Sequence, residues 1–239
     1  MKIEEYKKLY RLENNLWWFK GMRRILLTLL NKYDKRKNLK ILDAGCGTGR
    51  MLQSLKNKGE ASGLDISDEA IKFCNNRNLQ VKKGTVESLS FKDNSFDLVT
   101  SIDVIYHKWV KSDKKAISEI NRVLKKEGTL LIQVAAYNFM HSNHDRAVMT
   151  ERRYTKKQLK KLLEENNFKI KKITYANTLL FPLALIKRLT EKKQNNSEVK
   201  SISKITNNIL LNFLYLEAKL LKKINFPFGL SIIAVAKKN

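Results

Sequence analysis

The period of the apolar positions changes several times along the chain, and those changes divide it into elements. Residues 3–34 place Leu9, Leu12, Leu16, Ile25, Leu26, Leu29 and Leu30 in stripes at helical spacing. Short apolar runs then alternate with helical stretches. Residues 39–43 read as a strand, 49–58 as a helix, 61–65 as a strand and 68–77 as a helix. Residues 79–83 and 96–102 read as strands, 113–125 as a helix and 128–135 as a strand. Such alternation predicts an α/β fold, a parallel sheet with helices on both faces. Residues 136–154 carry no clear period. A helix over 155–165, a strand over 168–175, two apolar helices over 178–190 and 203–224, and a strand over 230–237 complete the chain. The polar run 191–201 is the best linker candidate. The pattern predicts a single domain. Residues 1–36 form a helical cap, 37–176 with 228–239 the core, and 177–227 a helical insertion before the last strand.

Composition adds bounds. The 239 residues, 43% of them hydrophobic, are enough for one large core. No apolar run nears the ~18 residues that span a bilayer. The first residues carry acids and no apolar run, so no secretory signal is expected. Cys46 and Cys74 make neither a disulfide framework nor a metal cluster, and a cytoplasmic location is expected. The formal net charge of +25 favours acidic partners: nucleic acid, anionic lipid, acidic peptides or carboxylates. Lysines occur in nearly every expected helix, so an ordinary solvated surface competes with those readings. One basic concentration lies between Arg146 and Lys172.

The chemistry concentrates in Asp43-Ala44-Gly45-Cys46-Gly47-Thr48-Gly49-Arg50, between an expected strand and helix. Glycines let the backbone turn sharply and let a ligand approach main-chain N–H groups. A nicotinamide fingerprint needs G-x-G-x-x-G, and here Arg50 stands at its last position. A P-loop needs Gly-Lys-Ser/Thr, which is absent. The G-x-G-x-G spacing suits a nucleoside without pyrophosphate. Asp65, twenty residues beyond Gly45, ends the second strand, where a carboxylate accepts bonds from both ribose hydroxyls. Glu87 follows the third strand, where backbone and side chain meet an adenine edge.

In this order the features resemble the class I S-adenosylmethionine-dependent methyltransferases. The resemblance also covers Phe96-Asp97-Leu98-Val99, Asp103-Val104-Ile105-Tyr106-His107, and Arg122-Val123-Leu124 with its following turn, where Lys126 and Glu127 replace Pro and Gly. It implies a Rossmann-like seven-stranded sheet with an antiparallel last strand, which 230–237 fits. It implies S-adenosylmethionine as cofactor, S-adenosylhomocysteine as product, and no metal. The cofactor-contacting positions it implies are Asp43, Ala44, Gly45, Cys46, Gly47, Gly49, Asp65, Ile66, Val86, Glu87, Ile102, Asp103, His107 and Trp18. A bacterial and archaeal subgroup shares Trp17-Trp18-Phe19, Tyr137, His144-Asp145, Arg152-Arg153-Tyr154-Thr155 and Pro227-Phe228-Gly229. This chain departs from that subgroup at Leu16, Tyr106 and Thr150, which stand where the subgroup has His, Glu and His. The acceptor side is therefore altered and the cofactor side kept.

Methyl transfer from a sulfonium needs alignment and exclusion of water. A hydroxyl acceptor gains from a general base, whereas a carboxylate needs only positioning. The catalytic candidates are His107, Tyr137, His144, Arg152 and Arg153. His107 is either base or acceptor orienter, or a supporting hydrogen bond. His144 and Asp145 form either an oriented pair or a loop staple, and His141 lies on the surface. Arg146, Arg152 and Arg153 would clamp a carboxylate, or else pair within their loop. Trp17, Trp18 and Phe19 would cover the cleft or simply pack on the sheet. The reading is O-methylation of a carboxylate or hydroxyl on a peptide or small molecule. A glycan or lipid-linked acceptor, RNA, and a non-catalytic scaffold follow as alternatives. Peripheral contact of the two late apolar helices with an anionic membrane also remains open.

Overall fold

The computed structural model describes residues 3–190 and 202–239, so the expected linker over 191–201 lies outside the described residues. Seven strands form one sheet: β1 (Leu39–Ala44), β2 (Gly59–Asp65), β3 (Gln80–Lys83), β4 (Phe96–Ile102), β5 (Leu124–Ala135), β6 (Phe168–Ala176) and β7 (Ser231–Lys238). Their order is β3-β2-β1-β4-β5-β7-β6. The first five are parallel, and β7 runs antiparallel between β5 and β6.

Alternation along the strands sends side chains to two apolar layers. Ile41, Leu98, Leu131 and Ile233 meet α2 (Trp17–Tyr33), α3 (Arg50–Leu55) and α4 (Asp68–Asn75) on one face. Leu42, Val99, Leu130 and Ile232 meet α5 (Asp113–Val123) and α7 (Lys156–Glu165) on the other. Burial on both faces explains the near-continuous apolar runs in β5 and β7.

The expected N-terminal helical region is two helices, α1 (Ile3–Leu12) and α2. The break is held from far away. Asn207 accepts the Trp17 N–H at 2.8 Å and donates to the Asn15 carbonyl at 3.0 Å. Its side-chain amide thus satisfies both ends of the interruption, which no local pattern announces. Asn207 belongs to α9 (Lys204–Leu220), which follows α8 (Phe181–Thr190) between β6 and β7. A Cβ on Gly21 would stand 2.3 Å from Leu214 Cδ1, so the glycine lets α2 and α9 approach closely. The buried Glu217 carboxylate accepts the N–H groups of Asn177, Thr178 and Leu179, fixing α9 to the end of β6.

Two further boundaries differ from the sequence pattern. β5 begins at Leu124, four residues early, and its register against β4 shifts between Phe96 and Leu98. The segment without a clear period contains α6 (Asn143–Val148), closed by a Ser142/Asp145 capping box.

Candidate functional site

The site lies at the carboxyl ends of β1, β2 and β4, where the strand order turns back on itself. Open α/β sheets bind ligands at such a switch point. The loop after β1 holds Gly45, Gly47 and Gly49 at φ of 88°, 53° and 84°. The three glycines answer different needs. A Cβ on Gly45 would meet Val104 Cγ2 at 2.3 Å, and one on Gly49 would meet Leu79 Cδ1 at 2.4 Å. A Cβ on Gly47 would meet nothing within 4 Å, so this glycine faces open space.

Asp65 closes the loop against β2. Its Oδ2 accepts the Gly47 N–H at 2.8 Å and its Oδ1 the Ser67 N–H at 3.0 Å. Burial raises its pKa despite those bonds. Asp43 accepts the Thr100 hydroxyl at 2.6 Å, while its Oδ2 is buried without a partner. Burial lifts the Asp43 carboxyl to about 7.

The end of β4 supplies a second polar group. Asp103 has φ of 58°, a left-handed conformation uncommon outside glycine. Gln133 Nε2 donates to its Oδ2 at 2.6 Å, and burial raises its pKa to about 6. The His107 ring lies 4.6 Å from the Tyr106 ring and stacks on Trp109 at 4.8 Å. Its Nδ1 is buried without a hydrogen-bond partner. Burial lowers the His107 pKa to about 4, which keeps the imidazole neutral at physiological pH.

These groups bound a cavity of about 280 Å³. Its wall includes Asp43, Gly45, Cys46, Gly47, Asp65 and Ile66, then Val86, Ile102, Asp103 and His107, with Trp18 and His144 from the cap side. Residues that the sequence reading missed share the wall, and four of them are Tyr6, Glu13, Arg23 and Arg50. Arg50 adjoins Gly49, so its place in the loop was a usable signal. The other three depend on how the cap folds over the sheet.

Several expected site residues stand off the cavity. Glu87 accepts the N–H groups of Lys111 and Ser112, which turns its carboxylate to the loop before α5. Its neighbours Thr85 and Val86 face the cavity instead. Ala44 and Gly49 form the loop's frame. Tyr137 stacks on Tyr175 at 5.1 Å and on Phe139 at 5.2 Å. Arg153 pairs with buried Asp145 at 3.0 Å and donates to the Ala136 carbonyl at 2.6 Å. Arg152 donates to the Val110 carbonyl at 2.9 Å. Of the three arginines expected as a clamp, Arg152 and Arg153 thus hold the 136–154 segment, and Arg146 donates to Asn143. Asp145 turns to Ser142 and Arg153, and His141 is exposed.

A family model described as a methyltransferase domain matches residues 42–132. That span runs from β1 through β5 and holds the glycine loop, Asp65 and the end of β4. Residues 42–132 thus carry a methyltransferase domain, on the class I S-adenosylmethionine-dependent methyltransferase fold. The crystal structure of such a methyltransferase from Thermotoga maritima superposes with a TM-score of 0.62 at 19% identity, covering 99% of this chain and 96% of that one. That likeness shows the shared fold. Protein MJ1252 of Methanocaldococcus jannaschii is 38% identical over 134 residues, 55% of this chain and 51% of its own length. The tRNA (carboxymethyluridine(34)-5-O)-methyltransferase of Arabidopsis thaliana is 38% identical over 97 residues, 40% of this chain and 24% of its own length. The chain thus spans about half of the first relative's length and about a quarter of the second's.

The cofactor of this methyltransferase family is S-adenosylmethionine, and the wall suits it chemically. Asp65 keeps acceptor capacity for ribose hydroxyls. Buried Asp43, with an unpaired oxygen, and Asp103 suit a ligand that carries an ammonium and a sulfonium. Arg23 and Arg50 put guanidinium groups on the same wall, and the Arg50 Nε is buried without a partner. Those cations would hold the ligand's carboxylate. Gly47 leaves open the space that a side chain would fill.

Proposed function

We propose that this chain transfers a methyl group from S-adenosylmethionine to a hydroxyl oxygen of a small or peptide-borne acceptor. The observation that carries the reading is the neutral His107 ring in the cavity wall, packed against Tyr106 and Trp109. When bound, S-adenosylmethionine would supply an activated methyl group, with a neutral thioether as the leaving group. The new C–O bond uses an oxygen lone pair. His107 takes the hydroxyl proton as that bond forms and later gives it to water. Tyr106 and Trp109 hold the ring by contact. The cap residues Trp18, Phe19 and Met22 keep water from the wall opposite the sheet.

A carboxylate acceptor, the other half of the sequence reading, loses support because Arg152 and Arg153 serve the 136–154 segment. The likeness to a tRNA methyltransferase that acts on carboxymethyluridine, together with the net charge of +25, favours an oxygen of a modified nucleoside in RNA, such as a carboxymethyl carboxylate, as a second reading. Methyl-labelled S-adenosylmethionine, incubated with the protein and with RNA, peptide and small-molecule fractions of a cell extract, separates the two. Label in the small-molecule or peptide fraction supports the first reading. Label confined to RNA replaces it with the second.

A further inference from the structure

α9 is apolar on two sides. Leu211, Leu214, Ala218 and Leu221 are buried against the body, and Leu214 meets α2 at Gly21. Ile205, Ile209, Phe213, Leu216 and Leu220 are between 38% and 75% exposed. Their spacing of four, four, three and four residues puts them on one stripe, about 22 Å long at helical rise. By helical geometry the stripe points away from the buried face. Leu183 and Ile186 of α8 are exposed as well. A contiguous exposed apolar stripe marks a surface that meets something less polar than water.

Charge decides what that is. Lys204 and Lys219 on α9, and Lys222 and Lys223 just after it, are exposed, and Lys219 and Lys223 border the stripe. Glu217 is the only acid between residues 202 and 224, and it is buried. A second copy would bring like charges together in a chain of net charge +25. The connecting residues 191–201 are polar in sequence, with Val199 as their one apolar residue. An anionic amphiphilic surface satisfies both the apolar stripe and the lysines.

We propose that the exposed stripe of α9, flanked by Lys219 and Lys223, docks the protein on the surface of an anionic lipid bilayer. The helix lies in the interface with its isoleucines and Phe213 among the acyl chains and its lysines at the head groups. Among the described residues no helix is long and apolar enough to cross a membrane, so the contact is peripheral.

Co-sedimentation of the full chain with vesicles tests this. Phosphatidylcholine vesicles doped with phosphatidylglycerol are compared with pure phosphatidylcholine. Binding is expected on the anionic vesicles and weakly or not at all on the neutral ones. Ile209→Ser with Phe213→Ser should lower the partition constant at least about tenfold by removing buried apolar area. Lys219→Glu with Lys223→Glu should lower it by more than about fivefold per site, and added salt should mimic that loss. All four positions are exposed, and matching circular dichroism and melting profiles show that each variant is folded. Equal binding to both vesicle types, or unchanged binding of the folded Ile209/Phe213 variant, overturns the proposal. A concentration-dependent dimer that the same variant turns into a monomer overturns it in favour of self-association. Binding to RNA that is insensitive to the apolar pair, without vesicle binding, overturns it as well.

Discussion

Glu13, in the turn between α1 and α2, pairs with Arg77, just past α4, at 2.5 Å, and its other oxygen accepts the Thr48 hydroxyl at 2.7 Å. Both side chains are less than a tenth exposed. Arg77 also lies over the Tyr10 ring at 4.4 Å, and Tyr10 stacks on Phe73 at 4.5 Å. The cap is thereby clipped to the glycine loop itself. Breaking a buried pair by removing one partner leaves an uncompensated charge. Arg77→Met should therefore cost about 3 kcal/mol in urea unfolding, and Glu13→Gln less, since the amide still accepts from Thr48. Both should weaken S-adenosylmethionine binding in calorimetry, because the cap supplies part of the cavity wall.

The glycines predict opposite outcomes for the same substitution. Gly45→Ala forces a methyl against Val104 and should destabilise by about 2 kcal/mol or more. Gly47→Ala meets no atom and should cost only the left-handed backbone strain, about 1 kcal/mol. Its methyl group nonetheless points into open space at the cavity wall, so cofactor affinity should fall at least about tenfold. Unfolding curves and titration calorimetry on the two variants separate these effects.

The arginines of the 136–154 segment should behave as supports. Arg153→Ala leaves buried Asp145 unpaired and should destabilise by about 3 kcal/mol. Arg152→Ala removes the bond to the Val110 carbonyl and the ion pair with Asp113 at 3.8 Å and should cost about 1–2 kcal/mol, with cofactor affinity unchanged. A selective loss of turnover in a fully folded Arg152→Ala protein would restore the clamp.

Titration gives two signs. Asp43 and Asp103 have folded pKa values raised by burial to about 7 and about 6. Their contribution to stability is fully present below the unfolded carboxylate pKa, about 4, and is lost as pH rises through those folded values. His107 has the reverse sign. Its folded pKa of about 4 lies below the unfolded value, so its contribution is present above about 6.5 and is lost as pH falls. Denaturant titrations across pH should show Asp43→Asn removing a negative slope between about pH 4 and 7, worth up to about 4 kcal/mol. An unchanged slope would place the Asp43 pKa near its ordinary value.

The fold was largely legible because the strands are buried on both faces and leave apolar runs bounded by turns. The glycine loop and Asp65 were legible because their chemistry is local. The cap was not, since its geometry rests on Asn207 reaching the break before Trp17 from 190 residues away, and on Glu13 reaching Arg77. Arg152 and Arg153 misled for a related reason. A guanidinium suits an acceptor carboxylate and Asp145 equally well, and only the folded 136–154 segment shows which one it meets. Two cations on the cavity wall, Arg23 and Arg50, came from α2 and the start of α3 instead.

The neutral His107 imidazole is the centre of the proposed chemistry, and one comparison tests it directly. Transfer of label from S-adenosylmethionine into the acceptor fraction is measured for the wild type and for His107→Gln, with cofactor affinity measured alongside. The expected result is a loss of about a hundredfold or more in kcat with cofactor affinity kept within a few-fold, and a wild-type kcat/KM that stays level through about pH 6.5 and falls only as pH drops toward about 4. Full turnover by the folded His107→Gln protein, or a wild-type profile that breaks near the ordinary histidine pKa, would contradict it.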